Sequence, residues 1–437
     1  MIICKHKDTV LKKIIRKVIK KVLTGSEGIV LSSDYPDIGK INLEKLGIYL
    51  HVPFCRHPCF YCPYFKEKYN RKDAVDYSNA VVKEVEFYKN IMGNADITSF
   101  YIGGGTPTTM VGSGLEEIIG AIKQSFSLKC GISTETHPDD ITPSMVEKLK
   151  GMGVENVSMG VESFNDRFLE IIGRTYRSDR ARDAVSVLVE SGFKCVNIDL
   201  MFGLPNQEVK DVEKDIQTAI KLGVDQISAY PIFTFPHTKL EEVVRKKGYS
   251  LPGIMKRRAM LKKIEELCYN AGMERTSVWA FTKKGVRKYS SVTVPKYIGI
   301  GAGAGSLVPG SFFINTFSVE EYIKFLERRG KPPVALHIDF GEMDEMLHWL
   351  YWRIYETKII KKEFEEQFGR DFDDIFKRIF RLFRMLGMAR DEGDRIVMTD
   401  RGNYWVHVLQ NVFSLDFIGR VWNICLADKW PNEIELI

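Results

Sequence analysis

Residues 49–65 read YLHVPFCRHPCFYCPYF and place three of the chain's eight cysteines, Cys55, Cys59 and Cys62, within eight positions. A disulfide uses two thiols, a nucleophile one, and a closed zinc site four ligands. Three thiolates suit a cubane of four irons, which then keeps one iron open to an outside ligand. The Cys-x3-Cys-x2-Cys spacing folds the sulfurs toward one point. Phe54, Phe60, Tyr61, Tyr64 and Phe65 around them keep water from the metal and tune its potential. Zinc is the rival reading. It needs a fourth ligand, for which His57 is the only local candidate, and paired CxxC spacings are commoner in zinc sites.

The flanking sequence says where this loop sits. Short β-rich runs recur at GIYLHV (47–52), ITSFYIG (97–103), GISTET (131–136), NVSMGV (156–161), CVNIDLMFG (195–203) and DQISAY (225–230). Stretches of helical period separate them, at 74–91, 114–126, 143–152, 178–192 and 209–223. This alternation predicts an α/β fold, a parallel sheet covered by helices. Right-handed crossovers curl six such units into a partial (βα)6 barrel. Chemistry in such sheets sits at the carboxyl ends of the strands. The cysteine loop follows the first strand, and GGGTPT (103–108) follows the second.

After Pro252 the pattern changes. A helix over 255–271 leads to a strand-like ERTSVWAF (274–281) and a glycine-rich turn region, YIGIGAGAGSLVPG (297–310). KPPVAL (331–336) reads as a linker. Helices over 342–356, 360–368 and 373–386, a hairpin between DEGD and TDRG, and a last helix predict a small α+β, winged-helix-like C-terminal domain. The expected divisions are an N-terminal extension (1–41), the barrel with its glycine-rich extension (42–330) and a lid domain (331–437). The lid's KKEFEEQFGRDFDDIFKR mixes both signs of charge, so it reads as a substrate-shaping cover and not as a nucleic-acid reader.

Composition agrees with a multidomain globular chain: 437 residues, 44% hydrophobic, formal charge +6, and no apolar run that spans a bilayer. The start, MIICKHKDTVLKK, lacks a secretory pattern, so a cytoplasmic setting with reduced cysteines is expected. Cys4, Cys130, Cys195, Cys268 and Cys425 then read as small buried apolar residues. A charge of +6 gives no reason to expect nucleic acid. Residues 10–23, VLKKIIRKVIKKVL, set Lys12, Lys13, Arg16, Lys17, Lys20 and Lys21 opposite an apolar stripe. Such a helix either lies on an anionic membrane surface or packs on the protein's own body.

The cysteine motif, with an aromatic before its third cysteine, resembles the signature of radical S-adenosylmethionine (SAM) enzymes. Four further stretches accompany it: GGGTPT (103–108), SMGVESF (158–164), NIDLMFGLP (197–205) and GIGAGAG (299–305). Together they resemble the branch typified by oxygen-independent coproporphyrinogen III dehydrogenase, which includes heme chaperones and two-SAM methyltransferases. The resemblance covers roughly 45–310. It implies a [4Fe-4S] cluster on Cys55, Cys59 and Cys62, and SAM held through its amino acid moiety on the open iron. Reductive cleavage of the sulfonium then gives a 5′-deoxyadenosyl radical. By the same resemblance Tyr49, Gly103, Gly104 and Glu135 meet the first SAM, with Glu135 among the catalytic residues. Tyr61, Gly105, Thr106, Glu162, Arg174, Asp199 and Phe233 meet a second. An electron donor such as flavodoxin or ferredoxin, and a monomeric state, are expected with it.

Departures from the pattern bear on the reaction. The decarboxylating enzyme carries a further cysteine where Tyr64 stands, and the chaperone an HNxxYW-type element, whereas residues 274–295 contain no histidine. Glu162 replaces a usual glutamine and Phe233 a usual small residue, so the second SAM site is either reshaped or given to substrate. The leading expectation is methyl or methylene transfer to an unactivated carbon of an apolar small molecule or lipid. The alternative is tetrapyrrole chemistry, by decarboxylation of coproporphyrinogen or by radical heme breakdown. The third is non-catalytic heme trafficking.

Overall fold

The computed structural model describes residues 29–36, 38, 45–235, 238–289 and 294–436, so the basic segment 10–23 and most of the expected N-terminal extension lie outside it. Six strands form the barrel: β1 (Lys45–Val52), β2 (Asp96–Gly104), β3 (Ile132–Thr136), β4 (Val154–Glu162), β5 (Cys195–Phe202) and β6 (Gln226–Pro231). They lie in sequence order and every neighbouring pair is parallel. Their residues are buried on both faces, as a parallel sheet covered by helices requires.

The covering helices include α1 (Arg71–Met92), α2 (Leu115–Ser125), α3 (Pro143–Gly151), α4 (Asp166–Ile172), α5 (Ser178–Glu190) and α6 (Val209–Leu222). Local chemistry sets their starts. Asn70 accepts from the Lys72 and Asp73 amides to cap α1, and Thr142 accepts from the Met145 amide to cap α3. Along α1, Ala74, Tyr77, Val81, Val85 and Tyr88 repeat at helical spacing and face the sheet.

The sheet extends beyond the six strands. On one side β7 (Met273–Arg275) and β8 (Ala280–Lys283) add antiparallel to β6. On the other, β9 (Tyr297–Ile300) pairs in parallel with β1 and leads into the antiparallel run β10 (Gly305–Val308), β11 (Ser311–Asn315) and β12 (Val334–Asp339). The glycine-rich stretch 297–310 is thus a hairpin rather than a bare turn. The stretch read as a linker, 331–336, runs into a strand: Pro332 and Pro333 end a loop, and Val334 onward pairs with β11.

The C-terminal region has its own core around Trp349, Leu350, Phe364, Phe372, Phe376 and Phe380. Its order is α7 (Glu342–Tyr355), β13 (Lys358–Ile360), α8 (Lys361–Phe368), α9 (Phe372–Met385), β14 (Ala389–Asp391), β15 (Arg395–Met398) and α10 (Asp400–Ala427), the arrangement of a winged helix. It touches the barrel extension where the Val278 amide donates to Tyr355 O at 2.9 Å and Trp279 Nε1 donates to His407 Nε2 at 3.2 Å. Among the described residues no helix is long and apolar enough to cross a membrane.

Candidate active site

The cysteine loop leaves β1 at Val52 and is pinned at both ends. The Glu67 amide donates to Pro53 O at 2.6 Å and the Tyr69 amide to Cys55 O at 2.9 Å. One side-chain staple adds to these: His51 Nε2 lies 3.1 Å from Phe65 O, and the Tyr49 hydroxyl lies 2.7 Å from His51 Nδ1. Burial pushes His51 down to about 4, so the ring is neutral. It therefore donates through Nε2 to the carbonyl and accepts from Tyr49 at Nδ1.

The end of β2 passes against this loop at very close range. The Gly105 and Thr106 amides donate to Val52 O and Phe54 O at 2.7 and 2.8 Å. A Cβ at Gly105 would lie 2.6 Å from Phe54 O, and one at Gly104, whose φ is +113°, 2.7 Å from the His51 ring. Both positions therefore demand glycine. Cys55 Sγ lies 3.5 Å from Thr106 Oγ1. Burial pushes the Cys55 thiol up to about 12, and the charges of Cys62 and Cys59 add to the rise, so the three sulfurs share one neighbourhood. Burial raises the Cys59 thiol as well.

Three carboxylates face this loop from successive strands, Glu162 buried and Glu135 and Asp199 half-buried. Glu135 on β3 accepts from the Tyr101 hydroxyl at 2.5 Å and the Gly104 amide at 3.2 Å, and burial pushes it up to about 7. Glu162 ends β4 with φ of 65°, a left-handed value for a non-glycine residue, where the register with β5 shifts. That twist aims its side chain at Arg174, at the Tyr61 hydroxyl (2.8 Å) and at the Tyr230 hydroxyl (2.9 Å). Arg174 Nη2 also donates to Tyr61 at 2.9 Å, while its buried Nε has no partner. Asp199 on β5 accepts from Asn197 Nδ2 at 3.0 Å and Ser158 Oγ at 3.2 Å. Burial, then the charges of Glu162 and Glu135, push Asp199 up to about 8.

The electrostatics follow. Three carboxylates share this space with one guanidinium; Glu135 and Asp199 are raised toward their neutral forms, and a cation beside them would favour ionisation. Tyr61 carries this into the cysteine loop: it belongs to that loop and is bonded to both members of the Glu162–Arg174 pair.

The structure therefore brings Tyr49, Gly103, Gly104 and Glu135 together on one side, with Tyr61, Glu162 and Arg174 on the other and Asp199 nearby. Thr106 and Gly105 lie against the cysteine loop. Phe233 is half-buried in the stretch after β6, away from these polar bonds. Sequence reading missed Tyr101, Asn197, Ser158 and Tyr230. Strand period was the available signal for two of them, since Tyr101 and Gly103, like Asn197 and Asp199, stand two apart on one face.

Comparison with known proteins points the same way as the site. The model described as the radical SAM superfamily matches residues 49–219. That segment is similar to a radical SAM domain. Its relatives lie in the HemN/HemW-like branch. Heme chaperone HemW of Bacillus subtilis (strain 168) is 28% identical over 361 residues, covering 81% of this chain and 95% of the relative. Anaerobilin synthase of Escherichia coli O157:H7 is 23% identical over 382 residues, covering 85% and 84%. Among solved structures, coproporphyrinogen III oxidase (HemN) from Escherichia coli superposes with a TM-score of 0.74 at 19% identity, covering 88% of this chain and 94% of that one, a likeness of fold.

Radical SAM similarity implies a [4Fe-4S] cluster and SAM, and the residues fit both. The donors are three thiols on one pinned loop. Three thiolates are the donor set a four-iron cubane takes when one iron is left for an outside ligand, whereas a closed zinc site needs a fourth. His57, the zinc candidate, is exposed. Acids beside the loop whose ionised forms a cation would stabilise fit a ligand that carries a sulfonium and an ammonium.

Proposed function

We propose that the protein is an enzyme that cleaves SAM reductively and turns the resulting radical on a tetrapyrrole, heme in preference to coproporphyrinogen. The observation that carries this reading is the pair of bonds by which Tyr61, within the cysteine loop, is tied to Glu162 and Arg174, setting the loop against a cluster of acids and one guanidinium. With the cluster bound, one electron passed to SAM supplies a hydrogen-abstracting radical. Glu135, held by Tyr101 and Gly104, offers a carboxylate to the ammonium or ribose of SAM. An external one-electron donor of the flavodoxin or ferredoxin kind is part of the proposal.

The relatives are named for heme, anaerobilin and coproporphyrinogen, which supports tetrapyrrole chemistry ahead of methyl or methylene transfer to a lipid. Tyr64, in place of the extra cysteine of the decarboxylating pattern, supports heme over coproporphyrinogen. The absence of histidine from residues 274–295 supports turnover over trafficking. Arg174 is already paired with Glu162, which supports a single SAM at the Glu135 side and substrate at the Glu162–Arg174 side.

The test uses anaerobically reconstituted protein with SAM and dithionite, given heme or coproporphyrinogen III. Heme loss matched by 5′-deoxyadenosine, with one SAM bound per chain, is the expected result. Heme held intact while no 5′-deoxyadenosine forms, or S-adenosylhomocysteine as the main SAM product, contradicts the proposal.

A further inference from the structure

The charges of the C-terminal region looked mixed in the sequence, but folding sorts them. Phe372, Phe376 and Phe380 turn one face of α9 into the domain core. The acids gather at its N-terminal end: Asp371 caps the Asp374 amide at 3.0 Å, and Asp373 pairs with Lys361 at 2.9 Å. At 100° per residue, Arg378, Arg381, Leu382 and Met385 fall on the opposite, outward stripe. Met385 is 77% exposed, the most of any large apolar side chain among the described residues, with Leu382 at 53% and Leu386 at 42%. Lys377, Arg378 and Arg381 are exposed and pair with no acid among the described residues.

We propose that this end of α9 docks on an anionic lipid surface, with Leu382, Met385 and Leu386 entering the headgroup layer and Lys377, Arg378 and Arg381 meeting lipid phosphates. Charge complementarity selects the partner: three unpaired cations surround an apolar tip, the composition of a helix that lies in a membrane interface. A nucleic-acid partner fits less well. Leu382 and Met385, at the outermost positions, have no donor or acceptor for a base or phosphate. The neighbouring wing does not cancel the charge, because its acids are occupied: Asp391 by Lys361 and Arg384, both at 3.3 Å, and Glu392 and Asp394 by Arg395 at 3.4 and 3.2 Å. The segment 10–23, outside the described residues, has a similar basic and apolar composition in sequence, and a variant there measures whether it adds to the binding. This surface is independent of the reaction proposed above.

The experiment is cosedimentation of the full chain with phosphatidylglycerol vesicles and, for comparison, phosphatidylcholine vesicles. Three variants accompany it: R378E/R381E, L382S/M385S, and K12Q/K13Q/R16Q/K17Q. Unchanged thermal melting of the α9 variants checks their folding, since the altered side chains are exposed. The expected result is binding to the anionic vesicles alone, weakened about tenfold or more by each α9 pair. Three results overturn the proposal. One is no binding by the unaltered chain, or binding untouched by both α9 pairs. Another is loss on charge reversal but not in L382S/M385S, together with equal binding to a DNA duplex, which assigns the face to nucleic acid. The last is a dimer in light scattering that L382S/M385S dissolves, which assigns it to a second copy.

Discussion

Glu84 and Asp199 are both carboxylates raised by desolvation, but Glu84 is fully enclosed, Asp199 half-buried, and their surroundings differ. Glu84, in the middle of α1, accepts from the Gly301 amide at 2.7 Å, the Tyr322 hydroxyl at 2.5 Å and Asn315 Nδ2 at 2.8 Å. These partners are neutral donors. Asp199 has two neutral donors and two other carboxylates whose charges reach it. The first cluster is closed: it fastens α1 to the glycine turn after β9, and Tyr77 reinforces it by accepting from the Ala302 amide and donating to His51 O. The second holds acids that disfavour one another's ionisation, which a bound cation would reverse. Burial alone therefore does not mark a functional carboxylate; the sign of its neighbours does.

The sharpest way to break this contrast is to delete each acid in turn. Glu84→Ala strands three buried donors and is expected to cost about 3–5 kcal/mol of stability, read as a fall in the denaturation midpoint. An unchanged midpoint would remove the structural half of the comparison. Asp199→Asn is expected to lower 5′-deoxyadenosine formation about a hundredfold while leaving the melting temperature of the apo protein level or higher, because it replaces an acid whose ionisation burial and neighbouring carboxylates disfavour. A large loss of stability with activity retained per folded molecule would reverse the two assignments.

A smaller effect is expected in the pH dependence. Asp199 is pushed up to about 8 and Glu84 to about 7, both above the ordinary carboxylate range. Each is bound to its proton more tightly when folded, so the stability it contributes is present below about pH 4 and is lost as pH rises toward 7–8. Melting of the apo protein should therefore fall between pH 5 and 8.5, and less steeply in Asp199→Asn. SAM, as a cation, should flatten the slope of the unaltered protein. Parallel slopes for the two proteins would mean that Asp199 is ionised at no cost.

The βα alternation made the barrel legible, because parallel strands and their helices leave periodic signals of their own. The helix expected over 74–91 forms over Arg71–Met92, and the six strands lie where the β-rich runs are. The cysteine spacing and the glycine run likewise sit where strand order placed them. Val334–Asp339 was hidden by Pro332 and Pro333, whose loop signal is correct but stops one residue before the strand. Glu84, inside KEVEFYK, carried no signal in the sequence, because its partner Tyr322 lies 238 residues later. The sorting of α9 was illegible for a related reason. Its charges alternate in sequence, and which face points outward depends on where the domain places Phe372, Phe376 and Phe380.

The central claim is that three thiolates from the loop after β1 leave one metal corner for SAM. Its most direct test is the electron paramagnetic resonance spectrum of anoxically purified, reduced protein before and after SAM, with iron and sulfide counted on the same sample. The account predicts about four irons and four sulfides per chain and a spectrum that changes when SAM is added. Zinc in place of iron, or a cluster spectrum indifferent to SAM, would contradict it.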